Sequence, residues 1–118
     1  MKLYAFDVDE TLEISGGPIK LDQMTQLRNE GHIVGICGNW IIFVQAVTGW
    51  HDLVSFLSIG IGEKSEFLNQ IKQYIRAEEY IMVGNILGVS GASDDKGAAE
   101  TAGWRFIKES EFAAGASA

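Results

Sequence analysis

Phe6-Asp7-Val8-Asp9-Glu10-Thr11-Leu12 is the stretch from which the rest of the chain is read. It follows a short apolar run, Leu3-Tyr4-Ala5-Phe6, that reads as a buried strand. Side chains alternate along a strand, so Asp7 and Asp9 share a face if the extended geometry continues past Phe6. Two neighbouring carboxylates repel. The usual compensation is a divalent cation, a shared proton or full solvation. In an open parallel sheet, ligands bind just beyond the carboxyl ends of the strands, which is where this pair falls. The same composition also suits a solvated turn, because acidic and hydroxyl residues favour turns and helix caps. The stretch alone leaves both readings open.

A chain of 118 residues is read as one domain over 1–113, with 114–118 as a frayed tail that has nothing to bury. Its 47% apolar content supports a packed core without covalent staples. The single cysteine, Cys37, excludes an internal disulfide and suits a reducing compartment. The apolar run before Asp7 is too short for a signal sequence, and no run is long enough to span a bilayer. The expectation is a soluble, cytoplasmic protein with no membrane partner. The formal charge of −7 argues against a nucleic-acid backbone as a simple electrostatic partner. It does not argue against a phosphorylated ligand, because a bound cation reverses the local sign.

Ser15-Gly16-Gly17-Pro18, between Ile14 and Ile19, is a strong turn signal and predicts either a small flap over the site or an ordinary connection. Leu21, Met24 and Leu27 recur at helical spacing, and Gly31 stands where a C-terminal cap belongs. His32–Cys37 reads as a second strand, and Trp40–Val47 as a short helix between Asn39 and Gly49. Leu53–Gly60 reads as a third strand. Phe67, Leu68, Ile71, Tyr74 and Ile75 mark one face of a helix from about Ser65 to Arg76. Tyr80–Val83 is a fourth strand, Ala98, Ala99 and Ala102 belong to a closely packing helix that ends at Gly103, and Trp104–Ile107 is a fifth strand. Glu109–Ala113 reads as a last helical turn. Strands alternating with helices predict an α/β fold: a three-layer, Rossmann-like parallel sheet of five strands with helices on both faces.

In such a sheet Asp7 and Asp9, Cys37-Gly38-Asn39, Gly60–Lys64, and Gly84-Asn85 with Asp94-Asp95 converge on one rim. Each has a structural alternative. Asp94 or Asp95 can cap the following helix, Lys64 can be a solvated lysine, and Cys37 can be a small core residue. Trp40, Trp50 and His51 are candidates for an open rim, although core packing is the commoner use of tryptophan.

Asp7-Val8-Asp9-Glu10-Thr11-Leu12 resembles the first motif of the haloacid dehalogenase-like phosphohydrolases, Asp-x-Asp-x-Thr after an apolar strand. Asp95-Lys96-Gly97-Ala98-Ala99-Glu100-Thr101-Ala102-Gly103 resembles the family's last motif, and Gly62-Glu63-Lys64-Ser65 its lysine motif. Two positions depart from the pattern: Cys37 stands where the family has a hydroxyl, and Asn85 where it has an aspartate.

The resemblance implies a Mg²⁺-dependent phosphatase. Asp7 would attack phosphorus and Asp9 would act as acid and then base, with Lys64 screening the charge. Thr11, Cys37, Gly38, Asn39 and Lys64 would surround the phosphate. Asp7, the Asp9 carbonyl and one of Asn85, Asp94 or Asp95 would hold the metal. Neither gap after the first two motifs has room for a folded cap domain. An open site implies a large phosphorylated substrate, or a homo-oligomer whose neighbours cover it.

Three rivals remain. A domain of the same fold that has lost turnover would be a binding or regulatory module. A two-component receiver would need an aspartate ending the third strand, and Asp52 comes before it. A nucleotide-binding module would need a glycine-rich loop after the first strand, and none is present.

Overall fold

The computed structural model describes residues 1–58, 62–89, 91 and 94–115. Five strands, β1 (Lys2–Phe6), β2 (Ile33–Cys37), β3 (Leu57–Ser58), β4 (Glu79–Gly84) and β5 (Arg105–Lys108), form one sheet in the order β3-β2-β1-β4-β5. Every pairing is parallel, with Leu3 opposite Ile33 on one side of β1 and opposite Tyr80 on the other. The α/β sheet expected from the alternation of elements is therefore the observed one. The chain winds outward from β1 through β2 to β3, then returns to place β4 on the opposite side of β1. The strand order thus reverses between β1 and β4, and the crevice beyond their carboxyl ends is where such sheets bind ligands.

Helices cover both faces. The first face carries α1 (Leu21–Asn29), α2 (Trp40–Ala46), α3 (Trp50–Leu53) and α6 (Glu109–Ala113), packed on Tyr4, Phe6, Val34, Ile36, Ile81 and Val83. The second carries α4 (Lys64–Tyr74) and α5 (Asp95–Ala102), packed on Leu3, Ala5, Cys37 and Met82. The period-two alternation of β1 sorts these residues: Tyr4 and Phe6 face one layer, Leu3 and Ala5 the other. Met24 and Leu27 bury the inner stripe of α1, and Leu68 and Ile71 that of α4. Ala99 and Ala102 let α5 approach closely before Gly103, with φ 74, ends it.

The third strand is shorter than the sequence predicts. Leu53 ends helix α3, Val54 is a buried connector, and only Leu57–Ser58 pair as strand, while Ile59 and Gly60 lie outside the described residues. The apolar run conceals a change of period. Trp50 and Leu53, three apart, both pack on the first-face core, which is helical spacing. The expected tail, 114–118, is described only as far as Gly115.

The connection after β1 folds onto the body. Glu13–Ser15 make one turn of 3₁₀ helix, Leu12 bridges Ile19, and both of those side chains have no exposure. The Ser-Gly-Gly-Pro turn is thus anchored by two buried aliphatic residues. Among the described residues no helix is long and apolar enough to cross a membrane.

Candidate functional site

Asp7 extends the ladder one residue beyond β1, its amide donating to the Val83 carbonyl at 3.0 Å. The strand geometry then stops. Thr11 and Leu12 both return their amides to the Val8 carbonyl, and Glu10 adopts φ 60, a left-handed conformation that is uncommon without glycine. Asp7 is left buried on the α4/α5 side at 2% exposure, while Asp9 turns outward to solvent. The two aspartates therefore do not share a strand face; a turn separates their environments.

Asp9 is held by two neighbours. The Ser15 hydroxyl donates to its Oδ1 at 2.6 Å and the Asn39 amide to its Oδ2 at 3.2 Å. The anchored turn and the end of β2 thus aim the Asp9 carboxylate from either side. Ser15 is not among the site residues expected from sequence, although its place in the turn beside the acidic motif is a usable signal.

Lys64 is the first residue of α4, and its ammonium enters the crevice. It donates to Asp7 Oδ1 at 2.8 Å and to Asp95 Oδ1 at 2.6 Å. Burial works against the ammonium, but Asp7 and then Asp95 together outweigh it and hold its pKa above the ordinary lysine value. Asp95 has no exposure and opens α5. Its pKa is pushed up to about 6, first by burial and then by the Asp7 charge, against the lowering pull of Lys64 and the Asn85 amide. The pair is unequal because Lys64 meets two carboxylates, whereas Asp95 meets one ammonium and a like charge.

Asn85 follows β4 at 1% exposure. Its backbone amide donates to Asp95 Oδ2 at 2.8 Å, and its side-chain amide to Glu109 Oε2 at 3.2 Å and the Glu10 carbonyl at 3.3 Å. The Thr11 hydroxyl lies between Asp7 Oδ2, at 3.2 Å, and Asn85 Oδ1, at 3.3 Å. Thr11 is itself fully buried, so it ties the two sides of the crevice together and presents no surface to a ligand. Glu109, half-hidden in the sequence as the start of a terminal helix, also reaches the rim. The rule that all parallel strands end on one side applies to β5 as well, and that is the signal for it.

Glycine shapes the approach. A methyl group at Gly38 would collide with Asp7 Oδ1, and one at Gly84 with the Asp95 carboxylate. Both positions leave the space that the carboxylates occupy.

The remaining expected residues fall elsewhere. Cys37 is fully buried among Leu3, Ala5, Leu68 and Met82, and burial pushes its thiol up to about 12. It is a protonated core residue, with no surface to offer a phosphate. Asp94 is exposed and caps α5, its Oδ1 accepting from the Gly97 amide at 3.1 Å. Trp50 packs on the core, whereas Trp40, next to Asn39, is 36% exposed.

Among the described residues, no group of three or more His, Cys, Asp or Glu side chains is gathered to hold a metal ion. A cation here would draw instead on the Asp7 carboxylate, the Asp9 main-chain carbonyl and the Asn85 amide oxygen. Asp95 is committed to Lys64 and the Asn85 backbone. The donor set fits a hard cation such as Mg²⁺, which takes oxygen ligands. The Thr11 hydroxyl is shared between two acceptors there, Asp7 Oδ2 and Asn85 Oδ1.

No family model matches this chain, and no curated protein and no solved structure shows significant similarity to it.

Proposed function

We propose that the chain is a small, capless phosphatase of haloacid dehalogenase-like type, hydrolysing phosphomonoesters with Mg²⁺. The observation that carries this reading is the crevice at the strand-order reversal: Asp7, Asp9 and Thr11 follow β1, Asn39 follows β2, Lys64 opens α4 and Asn85 follows β4, the chain order that the motif resemblance implies.

Asp7 is the nucleophile. Its carboxylate attacks phosphorus in line, the bond from phosphorus to the leaving oxygen breaks, and an aspartyl-phosphate forms. Asp9 gives the leaving oxygen a proton, then takes one from the water that releases phosphate from Asp7. Ser15 and Asn39 hold Asp9 for both transfers. Lys64 fixes Asp7 Oδ1 and places a positive charge beside the transferred group. The Gly38 and Asn39 main chain, without a side chain at Gly38, lets the phosphate approach Asp7. Asp7, the Asp9 carbonyl and Asn85 would hold Mg²⁺, which when bound would supply charge neutralisation at the phosphoryl group.

A depression of about 400 Å³ borders Lys64 between the first turn of α4 and the length of α5, with Ser65 and Thr101 in its wall. On the other side, Trp40 and Ile41 follow Asn39 with 36% and 58% exposure. This uncapped, partly apolar surround suits a large phosphorylated substrate or a second copy of the chain as lid.

The second reading is a binding module of the same architecture without turnover. It is favoured by Asn85, which brings one charge fewer to the cation than an aspartate would, and by the burial of Cys37. Phosphate release from an aryl phosphate, with Mg²⁺ and with chelator, separates the two. The phosphatase reading expects metal-dependent release that vanishes in Asp7→Asn. Absence of release from the folded wild type supports the binding module.

A further inference from the structure

Asn85 and Glu109 are almost wholly buried, at 1% and 5% exposure, and their side chains meet at 3.2 Å. A carboxylate only accepts hydrogen bonds, so the NH₂ end of the amide faces Glu109. The Glu10 carbonyl, another acceptor, receives from the same nitrogen at 3.3 Å. Turning the amide over would set its oxygen against two acceptors. The oxygen is therefore fixed on the opposite side, toward Thr11 and through it Asp7.

We infer that Glu109 is a positioning residue that fixes the Asn85 amide oxygen toward Asp7 and carries, one side chain removed, the negative charge that a carboxylate at position 85 would carry. Its link to the metal rests on the phosphatase reading; its hold on Asn85 does not. Partners behind a metal ligand orient it and raise its donor strength. Asparagine at position 85 is then matched to this neighbour. A carboxylate there would sit against Glu109 with no proton between them, unless the pair retained one. The charge can nevertheless be exchanged. Asn85→Asp combined with Glu109→Gln puts a donor back against an acceptor, with the polarity reversed.

The test compares the full-length wild type, Asn85→Asp, Glu109→Gln and the double variant, by melting without metal and by calorimetric Mg²⁺ titration. Asn85→Asp is expected to melt about 5 °C or more below wild type, and the double variant to regain part of that loss, because the Glu10 carbonyl still faces a carboxylate oxygen. Glu109→Gln frees the amide to turn, and is expected to weaken Mg²⁺ binding about tenfold, with the double variant recovering it. Asn85→Asp melting at or above wild type, or no recovery in the double variant, would overturn the inference. Unchanged Mg²⁺ affinity in Glu109→Gln would overturn its link to the metal. A wild type that binds no Mg²⁺, with the metal-free coupling as expected, would leave Glu109 assigned to Asn85 and remove the metal-dependent reading instead.

Discussion

The Lys64 ammonium lies 2.6 Å from a carboxylate, Asp95, that has no exposure to solvent. The same ammonium reaches Asp7 at 2.8 Å, so one cation serves two buried anions from different elements. Removing it strands both. Lys64→Met is expected to lose about 3 kcal/mol or more in urea unfolding, because an uncompensated buried charge is far more destabilising than an absent pair. Adding Asp95→Asn should restore part of the loss. A Lys64→Met variant as stable as wild type would contradict this account of the pair.

Asp95 makes stability depend on pH in a definite direction. Its pKa in the fold is about 6, above that of the unfolded chain, so the folded state binds the extra proton between about pH 4 and 6. The stabilisation is fully present below the unfolded value and is lost as pH rises through about 6. Each tenfold difference in proton affinity between the folded and unfolded states contributes about 1.4 kcal/mol. The difference in unfolding free energy between wild type and Asp95→Asn should therefore move against wild type by roughly a few kcal/mol between about pH 4 and 7. A difference independent of pH would show that folding leaves the proton affinity of Asp95 unchanged.

Cys37 should be chemically silent. Its thiol is fully buried and pushed up to about 12, so iodoacetamide at about pH 8 is expected to modify it only after unfolding. Because the folded thiol keeps its proton to higher pH than the unfolded one, it adds stability below about pH 8.5, which is lost as pH rises toward 12. Rapid labelling of the native protein would place the sulfur at an accessible surface.

Gly38→Ala tests how tightly the Asp7 carboxylate is surrounded. The added methyl meets Asp7 Oδ1, so phosphate release should fall by at least about tenfold, the equivalent of ~1.4 kcal/mol in the barrier. Full activity in this variant would mean that Asp7 has room to move aside without consequence.

Much of this architecture is legible in the sequence because local signals agree. The apolar run Leu3–Phe6, the i, i+3 pairs of α1 and α4 and the glycine after α5 each specify one element, and a parallel sheet follows from their order. The third strand reads too long because Trp50 and Leu53 are apolar at helical spacing inside a run that is apolar throughout. Whether Asp9 shares the strand face with Asp7 stays open in the sequence because nothing in Asp-Val-Asp-Glu-Thr announces the left-handed residue at Glu10. Asp94 and Asp95 cannot be told apart as neighbours in sequence. Helix α5 separates them: Asp95, at its first position, turns into the crevice, and Asp94, one residue earlier, caps it. Glu109 can be placed at the rim from the end of β5, but its pairing with Asn85, 24 residues away, is a contact that only the return of β5 to the sheet creates.

The most direct measurement is mass spectrometry of the protein quenched during a single turnover of an aryl phosphate with Mg²⁺. Asp7 as nucleophile predicts one phosphoryl group on the peptide that contains it, labile to hydroxylamine and absent from Asp7→Asn. Turnover that proceeds without such an adduct, or survives in Asp7→Asn, would contradict it.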